Sequence, residues 1–94
     1  MGAGLVLRDK QVVGGTIIEM VIWELSSPLS GCQHAYKYRL YCGTVDGTCM
    51  VRYDNERGKG DHKHLRGVEH PYEFKNIRSL IADFRRDVRM EAGI

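Results

Sequence analysis

The sequence predicts an α+β fold: a small antiparallel β-sheet of about five to six strands, packed by one C-terminal α-helix. Three observations carry this. Apolar and β-branched residues recur in short runs over the first two thirds of the chain. Gly-Gly and Asp-Gly pairs punctuate those runs. From residue 76 onward the apolar period changes from two to that of a helix.

"GLVLRDKQVVGGTIIEMVIWEL" reads as strand, turn and long strand, with Asp9-Lys10 and Gly14-Gly15 as breakers. Residues 16–25 are rich in β-branched side chains, as expected of a largely buried strand. If that strand lay at a sheet edge it would invite a second copy, so a homodimer is an expectation. "SSPLSG" (26–31) is turn chemistry, and "HAYKYRLYCG" alternates Tyr and Leu with Lys and Arg at strand period. Asp46-Gly47 separates this strand from "CMVRYD", a hairpin signal. "PYEFK" is expected as a further short or edge strand, with His70 before Pro71 as a turn residue. In "NIRSLIADFRRDVRMEAG", Ile77, Leu80, Ile81, Phe84 and Val88 share one helical face, Asn76 is the N-cap and Gly93 the terminator. Arg78, Arg85, Arg86 and Arg89 line the other side, interleaved with Asp83, Asp87 and Glu91 as on a solvated surface.

Ninety-four residues, 43% hydrophobic and 28% charged, predict a single globular domain over 1–94. No apolar run approaches the roughly 20 residues needed to span a bilayer, so no membrane partner is expected. No apolar core follows a basic start, which predicts no secretion. Cys32, Cys42 and Cys49 are odd in number and lack CxxC spacing. Reduced cytoplasmic thiols are the expectation, rather than a disulfide framework or a zinc site. Residues 1–47 balance four basic against four acidic side chains, so the +2 net charge lies in the second half. Between 52 and 66, Arg52, Arg57, Lys59, Lys63 and Arg66 stand against Asp54, Glu56 and Asp61, a mild invitation to phosphate.

The chemistry concentrates in "VRYDNERGKGDHKHLRG", residues 51–67. Gly58 and Gly60 bracket Lys59, freeing the backbone in a loop that has no P-loop spacing. Asp54 and Asn55 read as residues that end a strand and cap the turn. In an extended chain His62 and His64 lie on one face, about 6–7 Å apart along the strand. Two imidazoles flanking one phosphate can supply the base and the acid for attack by a ribose 2′-OH. Lys37 and Arg39, which alternation puts on one face of their strand, join the histidines as catalytic candidates by stabilising charge. Arg52, Lys59, Lys63 and Arg66 are candidates for holding phosphate or RNA. No cofactor is expected. An alternative metal set would be Asp61, His62 and His64, with Asp54 as a further ligand. A polar loop bearing solvated histidines remains the plain structural alternative.

"HAYKYRLYC", then "VRYDNERGKGDHKH", "PYEF" and the "LIADFRRDV" helix, taken in this order, resemble the TumE family of toxin–antitoxin toxins. The resemblance runs from about "GTIIEMVIWEL" to the end of the helix. It implies a cytoplasmic prokaryotic protein paired with an antitoxin, commonly of helix-turn-helix type, and an RNA-cleaving activity. It assigns no catalytic residues. A non-catalytic module that docks nucleic acid or an acidic partner on its basic sheet face is the rival reading.

Overall fold

The computed structural model describes residues 3–94. Six strands, β1 (Gly4–Val13), β2 (Thr16–Glu24), β3 (Tyr36–Thr44), β4 (Cys49–Glu56), β5 (Gly60–Leu65) and β6 (Val68–Pro71), precede one helix, α1 (Ile77–Ala92). The strands form one antiparallel meander in chain order, β1-β2-β3-β4-β5-β6. Each strand pairs with its neighbour in sequence, which is the arrangement short polar turns favour.

α1 lies across β4 and β3. Asn76 caps it, its side chain accepting from the Ser79 N–H at 2.8 Å, and Gly93 ends it in the left-handed conformation. The core between helix and sheet holds Met20 and Ile22 of β2, Tyr38, Leu40 and Cys42 of β3, and Val51 and Tyr53 of β4. Leu80, Phe84 and Val88 of α1 close it from above. Phe84 meets Tyr53 edge-on at 5.7 Å, so truncating it to alanine is expected to cost about 3–5 kcal/mol.

Several local expectations are corrected. Asp9 and Lys10 do not break β1; they sit inside an exposed outer strand, where charged side chains are tolerated. Residues 16–24 form an interior strand between β1 and β3, so this is not the exposed edge that would recruit a second copy. The last strand is Val68–Pro71, ahead of the position expected, and His70 lies within it opposite Lys63. Its hairpin turns at Arg66 and Gly67, whose φ values of 50° and 85° are the positive pair a tight two-residue turn requires.

Candidate functional site

Strand alternation divides the sheet into two faces. Tyr38, Leu40, Val51, Tyr53, Asn55, Asp61 and Lys63 look toward α1. Lys37, Arg39, Tyr41, Arg52, Asp54, Glu56, His62 and His64 occupy the opposite, helix-free face. Register then assembles two neighbouring rows on that face. Arg39 pairs with Asp54 and Asp54 with His62; beside them, Tyr41 pairs with Arg52, Arg52 with His64, and His64 with Glu69.

The histidines are held differently. The Gly60 carbonyl accepts from His62 Nδ1 at 3.3 Å, which leaves Nε2 facing Asp54 Oδ1 at 2.6 Å and Glu56 Oε1 at 3.5 Å. His64 Nδ1 accepts from the Arg52 guanidinium at 3.1 Å, and its Nε2 donates to Glu69 at 3.2 Å. The two rings stand nearly perpendicular with centroids 5.2 Å apart. Although His62 and Asp54 are within ion-pair distance, their atoms are not aligned for a hydrogen bond. His62 Nε2, Asp54 Oδ1 and Arg52 Nε are all buried without a hydrogen-bond partner. Orphans of this kind are costly and rare, and here three of them converge.

A chain of charges runs over the pair. Lys59 bridges Glu69 at 2.9 Å and Glu56 at 3.9 Å, and these two carboxylates touch His64 and His62 in turn. The Lys59 hydrogen bond holds the Glu69 carboxyl below its usual range and raises the Lys59 ammonium correspondingly. His62 is only 3% exposed under this cover.

The cations separate. Lys37 shares the histidine face and donates to the Asn55 carbonyl; Arg39 is exposed there, 3.8 Å from Glu19 and 5.0 Å from the Tyr41 ring centre. Arg52 stands between Asp54, at 3.4 Å, and His64. Lys63, by contrast, points to the helix side and pairs with Asp87 at 3.1 Å. Arg66 lies at the far hairpin, bound to Glu91 of α1 at 2.9 Å. Alternation is the reason for the first displacement and hairpin geometry for the second.

Asp54 and Asn55 are not turn residues; both lie in β4, and the turn itself is Arg57–Lys59, with Gly58 in it. Asn55 is fully buried, accepting from the Tyr38 N–H at 3.0 Å and donating to the Tyr36 carbonyl at 2.7 Å. Gly60 begins β5 at φ 85°, where a Cβ would lie 2.9 Å from the Gly31 carbonyl oxygen. Close packing of the loop before β3 against this turn thus demands glycine. Asp54, expected only as a turn residue or a further metal ligand, and Glu56 and Glu69, which the sequence reading did not assign, are site residues. Alternation from Arg52 could have found the first two.

The metal set considered above is also rearranged. Asp61 takes the other face, so it does not join His62 and His64. The ligand atoms of Asp54, His62 and His64 lie within 4.8 Å of one another, a spacing that suits a divalent ion. Arg52 donates to one nitrogen of His64 and places a fixed positive charge beside the set. That charge opposes a second cation.

Asp61 instead builds a closed network. Its Oδ1 accepts from His34 Nε2 at 2.8 Å and from the Tyr38 hydroxyl at 2.6 Å, while His34 Nδ1 accepts from the Tyr36 N–H at 3.2 Å. Phe74 stacks on His34 at 3.8 Å between centroids. Cys32 lies within metal-ligand reach of His34 and Asp61. Burial, then the Asp61 charge, pushes its thiol up, so it is held protonated.

No helix among the described residues is long and apolar enough to cross a membrane. No curated protein and no solved structure matches the chain. A family model described as Toxin TumE matches residues 3–92, nearly the whole sequence. On that match, the chain belongs to the toxin TumE family.

Proposed function

We propose that this protein is the toxin of a prokaryotic toxin–antitoxin module and that it cleaves RNA without a metal ion, through His62 and His64. Family membership supports the toxin role and suggests an antitoxin partner, of helix-turn-helix type in this reading, acting in the cytoplasm. The observation that carries the chemistry is the gathering of Arg52 Nε, Asp54 Oδ1 and His62 Nε2, in ion-pair contact through Asp54 yet without hydrogen bonds, just beneath the helix-free face. A donor, an acceptor and an imidazole nitrogen together match what a ribose hydroxyl beside a phosphate offers.

In this mechanism one imidazole takes the proton of the 2′-OH as O2′ attacks phosphorus. The P–O5′ bond breaks, the other imidazole gives a proton to O5′, and a 2′,3′-cyclic phosphate remains. Arg52, with Lys37 and Arg39 on the same face, stabilises the added negative charge. Asp54 orients His62. Phosphate entering the site takes the place of the Glu56 and Glu69 carboxylates and gains Lys59 from them.

The test uses purified protein, chelator and unstructured RNA, with His62→Ala and His64→Ala made singly. Each is expected to abolish cleavage and growth arrest while circular dichroism stays native. Cleavage or arrest retained in both variants rejects the assignment. A metal-dependent nuclease is the second reading, favoured by the Asp54, His62 and His64 spacing. It requires that chelator stop cleavage and a divalent ion restore it. A non-catalytic module would instead bind RNA in a salt-dependent manner, cleave nothing, and depend on Lys37 and Arg39.

A further inference from the structure

We propose that the groove between α1 and the β1–β2 hairpin is the docking site for the antitoxin, and that an acidic amphipathic segment of that protein fills it. The proposal takes its partner from the toxin family and is independent of how the toxin attacks RNA.

The groove exists because α1 packs chiefly on β4 and β3 and covers β2 only in part, leaving the β1 end of that side of the sheet open beside it. It has a volume of about 280 Å³ and a floor of Ile18, Met20, Phe84 and Val88. The fold already covers most of this floor, but Val13 and Ile94, which also line the groove, are 46% and 44% exposed; they gain from apolar side chains and have nothing to offer a sugar–phosphate backbone, which favours a protein over RNA here. A helix or strand that lays its apolar face into a groove fits this shape.

Charge specifies the rest of the occupant. Arg85 and Arg89 form the helix-side wall, and with Arg78 they stand at i, i+7 and i+11 on one stripe of α1. Arg86 is neutralised by Asp83 at 3.3 Å and Asp87 at 3.7 Å. Among the described residues, none of Arg78, Arg85 and Arg89 has a carboxylate within 4.0 Å. Among the described residues, Asp9 on the strand wall is the only acidic side chain lining the groove, so the net demand is for negative charge along the helix edge. An apolar stripe flanked by Asp or Glu meets both requirements.

The experiment titrates full-length toxin with its purified antitoxin, defined as the protein whose co-expression relieves the growth arrest. R85E/R89E is expected to weaken binding by at least about tenfold and to let arrest persist under co-expression. RNA cleavage by the isolated variant should be unchanged. Both arginines are exposed and unpaired, so the variant should stay folded, its melt lowered only slightly by loss of the Arg89 cation from the last helical turn; raising the salt concentration on unaltered protein should weaken binding in parallel. His62→Ala toxin should bind antitoxin normally, so a failed ribonuclease mechanism and a misplaced docking site give different results. Wild-type affinity in R85E/R89E overturns the proposal. So does loss of binding in Arg39→Glu alone, which would move the partner to the open face. A toxin dimer that R85E/R89E dissociates would also overturn it, by assigning the groove to a second copy.

Discussion

Two histidine–carboxylate contacts of this protein, the short ones of His34 with Asp61 and of His62 with Asp54, are alike in distance and opposite in character. On the helix side, His34 has both ring nitrogens hydrogen-bonded, a phenyl ring stacked on it, and a carboxylate that also accepts from Tyr38. Every group there is satisfied by the fold itself. On the open side, His62 and Asp54 approach to 2.6 Å, yet both atoms and the neighbouring Arg52 Nε remain without hydrogen bonds. A completed network stabilises; an uncompleted one in a stable protein points to something that completes it. The difference separates a structural histidine from a candidate catalytic one more sharply than residue type or exposure does.

The largest effect should come from breaking the open side. His62→Ala is expected to lower RNA cleavage by about 10²–10⁴-fold, the usual contribution of a positioned acid or base. His34→Ala should leave cleavage within roughly threefold of wild type and lower unfolding stability instead, by about 1–3 kcal/mol. Paired cleavage assays and urea melts read both. Next, Asp61→Ala strands the Tyr38 hydroxyl and His34 Nε2 together, so a loss of about 2–4 kcal/mol is expected in the same melts, again without a change in chemistry.

Alkaline pH sharpens the contrast further. Tyr38 and Tyr53 are buried on the helix side and donate to Asp61 and Asp87; burial first, then those carboxylates, pushes both phenols well above their usual range. A folded-state value above the unfolded one leaves stability intact below about pH 10 and removes it as pH rises beyond. Each tyrosine should contribute a slope of at most about 1.4 kcal/mol per pH unit, reduced in Tyr38→Phe and Tyr53→Phe. Melts between pH 8 and 11.5 measure it. The smallest effect is on the charge chain over the open site. Glu69→Gln should tighten RNA binding by up to about fivefold, since it removes an anion from the place proposed for phosphate. Weaker binding in Glu69→Gln would show instead that the carboxylate holds the site together.

Much of this was legible in sequence where the signal is local. The Asp46-Gly47 hairpin, the helix with its Asn76 and Gly93 ends, and the alternation that pairs His62 with His64 depend on residues close in the chain. The failures are non-local or involve unusual turn chemistry. Asp54-Asn55 carries turn propensity, but Asn55 is held in a strand by backbone groups of Tyr36 and Tyr38 some 17–19 residues away. Arg66-Gly67 is an uncommon pair for a two-residue turn, because arginine must adopt positive φ, so the sequence pattern puts the last strand at residues 71–75 rather than Val68–Pro71. Asp61 and Lys63 could have been excluded from the histidine face by parity alone. The contact of Asp54 with His62 needs the register across the Arg57–Lys59 turn, which no motif encodes.

The measurement closest to the central claim is the chemistry of the RNA ends made by purified protein in chelator. Wild-type protein should leave 2′,3′-cyclic phosphate and 5′-hydroxyl termini, and neither His62→Ala nor His64→Ala should produce them. Ends bearing 3′-hydroxyl and 5′-phosphate, or cyclic phosphate ends still formed by both variants, would contradict the account.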